Sequence, residues 1–520
     1  MKKYAIFIVI AVAIFGIAYV SWSGVFSSKF SVKTYGLIEA KESEIVELKD
    51  GDVYELVAGP VKKFVNGKEV RMIAYNGMIP GPTIKVKQGG EITINLKNET
   101  DVGTALHSHG VRLDNAFDGV PGLTQNEIKP GETFTYKIKF PDAGIFWYHP
   151  HVREDYTQPL GLYGNYLVTS IDPDYLSQVN KEEIITIGDI LMDENGIAPY
   201  SKSNVDYALM GRFGNVMLVN GKTDYSLSAN AGDVVRFYFT NVASTRPFNI
   251  SLPGAKMKLV AADQGKYERE VFVDSVILSP SERAVVDVHF PSAGTYEIKS
   301  VNPIQTRILG SINVSASRSA ESFVTNFNTL RTNSDVVEDI NTFRQYFSKA
   351  PDKRLRLSIN MGHGSSGMHQ MPDGSMMSNS GMSMGSSHTD GIEWEDTMME
   401  MNKSMDATTE WQVIDEDTGK RNMDVMWEFS RGDKVKIEIT NDPNAMHPMQ
   451  HPIHFHGQRF LVLTRDGVPE TNLVWKDTVL IPAGERIEIL LDASNPGSWM
   501  AHCHIAEHLE AGMMFGFNVK

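Results

Sequence analysis

The strongest constraint on the fold is a pattern that occurs three times along the chain. The stretches QGGEITINLKN (88–98), AGDVVRFYFTN (231–241) and RGDKVKIEITN (431–441) each set a glycine, Gly89, Gly232 or Gly432, nine residues before an asparagine. Apolar residues alternate in between, which is the period of a half-buried strand. A second trio follows, KPGETFTYKIKFPDAGIFWYHPH from Lys129, SPSERAVVDVHFPSAGTYEIKS from Ser279 and IPAGERIEILLDASNPGSWMAHCH from Ile481. Each has a glutamate (Glu132, Glu282, Glu485), an alternating strand, a glycine turn (Gly144, Gly294, Gly497) and a last strand. Short strands repeated between Gly and Pro turns predict β-sandwiches. A chain of 520 residues also exceeds one ordinary core. The expectation is an all-β protein with domains near 45–172, 180–315 and 350–520, joined by short linkers and preceded by an N-terminal segment, 1–30.

That segment opens with Lys2 and Lys3 and runs apolar from Ala5 to Val20, with no further charge until Lys29. It reads as an uncleaved membrane anchor or signal segment, with the paired lysines left in the cytoplasm and the rest exported to the periplasm or cell surface. The formal net charge of −15 excludes a nucleic-acid partner, because phosphate binding needs a basic face. Cys503 is the one cysteine, so an internal disulfide is impossible.

The repeat contains its own control. Five and seven residues after the glycine turn stand His149 and His151 in the first copy and His502 and His504 in the third, but Lys299 and Val301 in the middle one. The scaffold therefore does not require histidine there. Ten of the fifteen histidines fall in four clusters: His107 and His109; His149 and His151; His451, His454 and His456; His502, His504 and His508. On a strand, residues i and i+2 share a face, so each H-x-H offers two imidazoles to one place. In HCH the same period sends Cys503 to the opposite side from His502 and His504. Two histidines, a thiolate and a weak axial methionine describe a blue-copper electron-transfer site. Cys503, His508 and Met513 supply most of that set, and His451 could complete it. Zinc also accepts Cys and His, but a four-ligand zinc site leaves most of these histidines unexplained.

In these motifs the chain resembles the three-domain multicopper oxidases, the laccases and bacterial cuprous oxidases, over nearly everything after the N-terminal segment. The segments PGPTIKV (80–86) and DGVPGLTQ (118–125) are similar to that family's first domain. The resemblance implies three cupredoxin-like Greek-key sandwiches, the middle one without copper ligands, and four copper ions. It implies type 1 copper on His451, Cys503 and His508 with Met513 axial, and type 2 copper on His107 and His454. The type 3 pair would lie on His109, His149, His151, His456, His502 and His504. It also implies that a reductant gives single electrons to type 1 copper while the three-copper cluster reduces O2 to water. Asp118 matches a family position that supplies protons; its other reading is an Asp-Gly turn. After His508, where some cuprous oxidases have a glutamate, stands Leu509, which leaves a second proton route unassigned between Glu507 and Glu510.

The reductant is read from a methionine-rich stretch. Between Met361 and Met405 lie eleven of 25 methionines with His363, His369 and His388, among Gly and Ser. Without apolar periodicity, 361–405 reads as a mobile insertion, and thioethers favour Cu(I). Met449 matches a family methionine that contacts substrate copper, while His447 stands where those enzymes have an aspartate; Met446 and His447 are further soft donors. Oxidation of Cu(I) in copper tolerance is the preferred activity. The alternatives are a laccase-like oxidase of phenols and a copper-binding protein without turnover.

Overall fold

The computed structural model describes residues 29–361, 368–370, 376–378, 390–404 and 409–520. The expected anchor up to residue 28, and most of the methionine-rich stretch, lie outside the described residues. Among them, no helix is long and apolar enough to cross a membrane.

Each copy of the repeat folds into two facing sheets, because its strands alternate. In Glu91–Asn98 the side chains of Ile92, Ile94 and Leu96 are buried while Glu91 and Lys97 are exposed. The first copy pairs a four-stranded sheet with a five-stranded one, in which His107–His109 forms an edge beside Gly144–His149. The other two copies each pair a six-stranded with a five-stranded sheet. In the third, Thr478–Ile481, His451–Phe455 and Gly497–Cys503 lie side by side. This is the all-β, three-sandwich architecture.

The repeated asparagine has a structural reason. Asn98, Asn241 and Asn441 are all buried, and each Nδ2 donates to at least two carbonyls outside its own strand. These include Val102 and Ile128, Arg246 and Leu278, and Met449 and Ile481. An amide that satisfies several buried carbonyls fixes the loop at the strand end. In the third copy, that loop carries the ligand candidates.

The sandwiches pack on one another through apolar side chains. Every residue of Val234–Asn241 is buried, since Val235, Phe237 and Phe239 fill its own core while Tyr238 meets Ile145 and Leu167 of the first copy. Leu209, Met210 and Phe213 from the middle copy enter the third core. Val120 meets Met500 and Leu509 across the first and third.

Two expectations are corrected. The second connection is not a short linker: 316–352 contains the helices Val324–Asn328 and Ser334–Asn341. Ile340 and Phe343 there pack on Leu461, Leu463, Leu473, Trp475 and Leu490. Nor is 361–405 all mobile insertion. Ile392, Glu393, Trp394 and Asn402 are buried, and the Asn402 side chain accepts from Met210 N–H and donates to the Gly211 carbonyl. The flank 390–404 is therefore packed structure, held by spaced apolar and amide side chains in a sequence that reads as low complexity.

Candidate metal centre

The structure brings all ten clustered histidines into two adjoining sites. Register does most of this work. Across the sheets, His107 is paired with His149 and His454 with His502. The two halves then meet face to face: the His109 ring lies 3.7 Å from that of His454, and His107 lies 4.0 Å from His456. His151 contacts His456 and His502 at 5.2 Å each, and His504 contacts His109 at 5.0 Å and His149 at 5.1 Å. All eight rings are buried; His151, the most open, has a side chain 6% exposed.

Hydrogen bonds decide which ring nitrogen faces the centre. The Nδ1 atoms of His107, His149, His454 and His502 donate to the carbonyls of Asp118, Pro150, Asp477 and Cys503, at 2.8–2.9 Å. His456 Nδ1 donates to Asp118 Oδ2 at 2.9 Å. Each of these rings then keeps a bare Nε2 for the interior. His109 is reversed: its Nε2 donates to Asp477 Oδ1 at 3.0 Å, and its buried Nδ1 has no partner. Such outer partners fix tautomer and orientation, as metal-binding imidazoles require. The bare Nε2 atoms of His456 and His502 lie 3.0 Å apart, two lone pairs that repel unless a cation or proton sits between them. Burial first, and then the neighbouring imidazoles, push His109, His149, His151, His454, His456 and His504 well below the usual histidine range, and burial takes His502 down to about 4. Neutral imidazole is the form that binds metal.

The second site is on the other face of the HCH strand. Cys503 Sγ lies 3.6 Å from His451 Nδ1 and 3.8 Å from His508 Nδ1, and the two nitrogens are 3.3 Å apart. Met513 is buried, and its carbonyl accepts the Cys503 N–H at 3.0 Å. Burial pushes the Cys503 thiol up and the imidazole of His451 down to about 3. A cation held among them reverses the penalty on the thiolate. These buried N and S donors fit copper. Trp411 covers the site, stacked on His508 at 4.1 Å and edge-on to His451 at 4.8 Å.

The remaining candidates are placed as follows. Asp118 is fully buried between the halves, its Oδ1 3.3 Å from His107 Nδ1. Gly119 after it has φ +80°, and a Cβ there would meet the Leu106 carbonyl oxygen at 2.1 Å, so the DG turn needs glycine. Met449 and His447 are buried and Met446 partly so, all in the third core around Trp411; His447 lies 6.4 Å from the Trp411 ring, with neither ring nitrogen partnered. Glu507 accepts from Thr245 and, through burial above all, is pushed up to about 8. Glu510 accepts from the Glu154 N–H, and burial pushes it to about 7.

Sequence reasoning missed three residues at the centre. Glu154 is buried with Oε1 3.3 Å from His151 Nδ1. Its signal was available, three residues after His151 in HPHVRE. Asp477 and Arg283 carry no histidine-like pattern and meet the site only through tertiary packing.

Three family profiles described as multicopper oxidase match residues 60–172, 182–314 and 393–520. The chain belongs to the multicopper oxidase family. As such it is a copper-dependent oxidoreductase that couples a reducing substrate to O2. The multicopper oxidase mco of Staphylococcus aureus is 26% identical over 85% of this chain and 82% of its own length. Copper resistance protein A of Escherichia coli is 23% identical over 86% and 89%. Among solved structures, the laccase-like multi-copper oxidase CueO from Ochrobactrum sp. superposes with TM-score 0.70 at 23% identity, covering 92% of this chain and all of that one. The multicopper oxidase from Campylobacter jejuni, described as a metallo-oxidase, gives 0.67 at 22%, covering 95% and 100%. At these identities the structures share the fold alone.

Proposed function

We propose that this multicopper oxidase oxidises Cu(I) at a type 1 copper and uses four copper ions to reduce O2 to water, in defence against copper outside the cytoplasm. His451, Cys503 and His508 would hold type 1 copper with Met513 axial. His107 and His454 would hold type 2, and His109, His149, His151, His456, His502 and His504 the type 3 pair. Copper bound there supplies single-electron transfer and the four-electron reduction of O2. The chain's own residues do the rest. Asp118 orients His107 and His456 and carries protons to the reduced oxygen. The HCH backbone joins the thiolate to both imidazoles by covalent bonds. Trp411 keeps water from His508.

The choice of Cu(I) rests on His447, a buried imidazole with two unpartnered nitrogens beside Trp411 and among Met446 and Met449. Buried polar atoms are otherwise nearly always paired, and a soft cation satisfies such donors. Among the relatives, copper resistance proteins support the same direction by name. Lys2, Lys3 and the apolar run Ala5–Val20 support export of the domains and their tethering to a membrane.

Oxygen uptake by the copper-loaded protein with Cu(I), Fe(II) or a phenol as sole reductant tests this reading. Cu(I) is expected to give the highest kcat/KM; a higher value for the phenol overturns it.

A further inference from the structure

The middle sandwich is expected to give no ligand, yet one of its residues reaches the centre. Arg283 is fully buried, and its guanidinium forks onto Asp477 of the third sandwich, Nη1 to Oδ1 at 2.6 Å and Nη2 to Oδ2 at 2.5 Å. Its other hydrogens go to carbonyls of Ser281 (3.1 Å), Asp263 (3.0 Å) and, in the first sandwich, Ile145 (3.2 Å). Asp477 passes this grip to the imidazoles. Its Oδ1 accepts from His109 Nε2, and its main-chain carbonyl accepts from His454 Nδ1. The chain beside His109 closes on the same pair: a Cβ at Gly110 would lie 2.4 Å from Asp477 Oδ2 and 2.8 Å from Arg283 Nη2.

This clamp explains why His109 turns Nδ1 inward where His107, His149, His454, His456 and His502 turn Nε2. An ionised carboxylate at its Nε2 demands a hydrogen there, which leaves the lone pair on Nδ1. The two-pronged guanidinium contact, at 2.6 and 2.5 Å, is the charge partner that a buried carboxylate needs. Mere packing is a poor reason to keep such a group, since buried ion pairs seldom outperform apolar side chains of similar volume. A planar, bidentate fork is what a lysine cannot supply.

We propose that Arg283 is a positioning residue of the three-copper site, fixing Asp477 and through it the ligating nitrogen of His109 and the orientation of His454. This rests on the ligand assignment above. The test uses the copper-loaded full chain with Arg283→Lys, Asp477→Asn and the double variant. The readouts are the blue type 1 band as a control for folding, the type 2 electron paramagnetic resonance signal, and the rate of copper loss to a chelator. Arg283→Lys should keep the blue band, shift the type 2 signal, and lose copper ~10–100-fold faster, the range for outer partners of metal ligands. Asp477→Asn should do the same, and the double variant no worse than the worse single. If Arg283→Lys gives no blue protein, Asp477→Asn reads the same clamp from its other side. A wild-type type 2 signal and chelator rate in blue Arg283→Lys or Asp477→Asn protein, or additive effects in the double variant, overturns the proposal. Absence of any type 2 signal from the wild-type chain would instead sink the ligand assignment, and this proposal with it.

Discussion

Replacing Asp118 by asparagine separates two roles that the structure superimposes. The carboxylate accepts from His456 Nδ1 at 2.9 Å and approaches His107 Nδ1 to 3.3 Å, in a fully buried place. An amide keeps the shape and an acceptor oxygen but loses the charge. A hydrogen bond to a charged group contributes about 1.5–3 kcal/mol and a neutral one about 0.5–1.5 kcal/mol, so the swap costs roughly 1–1.5 kcal/mol. That is up to about tenfold in copper retention. Proton delivery by a positioned acid is a larger effect, about 10²–10⁴ in rate. The two are therefore distinguishable by size. The assay is to reduce the copper-loaded Asp118→Asn protein without oxygen, mix it with O2, and follow the return of the blue band. Reduction by substrate should proceed as in the wild type, and reoxidation should slow by ~100-fold or more per bound copper. A slowing of no more than about tenfold would leave only the orienting hydrogen bond and refute the proton role.

Cys503→Ser should remove the blue band and lower copper from four ions to three per chain by elemental analysis, with the type 2 signal intact. Deleting 362–389 should depress Cu(I) oxidation while phenol oxidation stays or rises; unchanged cuprous activity counts against the methionine-rich reading. Extending the deletion to 405 should collapse soluble yield instead, because it removes Trp394 and Asn402 from packed positions. For the metal-free chain, burial lowers His447 from 6.5 to about 4. Between those values the unfolded state binds the proton and the folded state does not, so stability is full above 6.5 and falls with pH, by on the order of 3 kcal/mol for this group. His447→Phe should flatten that part of the urea-midpoint profile; an unchanged slope refutes it.

The sandwiches were legible because their code is local. Gly89, Ile92, Ile94, Leu96 and Asn98 state a turn, a buried face and a loop anchor within eleven residues, three times over. The candidate centre was legible for a different reason: the middle copy has Lys299 and Val301 where the others have histidine, which removes the scaffold as an explanation. Asp477 and Arg283 escaped both tests. At the position of Arg283 the third copy has Arg486, which is exposed, and the first has Thr133, so the repeat gives no hint that one of them is buried against a carboxylate. What makes Arg283 matter is the meeting of three domains, and no window of sequence contains that. The packed flank 390–404 escaped because Ile392, Trp394 and Asn402 each find partners on elements remote in the chain.

The alternation of one strand also accounts for the division of labour in the molecule. Gly497–Cys503 and the following His504 place thiol and imidazoles on opposite faces, so the two candidate metal sites are separated by the thickness of a strand. Cys503 faces the apolar core with His451, Met513 and Trp411. His502 faces the other sandwich, locked to the Cys503 carbonyl at 2.8 Å. On the proposed copper assignment, electrons would cross through a few bonds, and the reductant and O2 need never meet. Such a wire works only if the far imidazoles stay in place through every turnover. Their bonds to Asp118, Asp477, Pro150 and Cys503 come from buried, mostly main-chain acceptors, which cannot swing away when the charge at the centre changes.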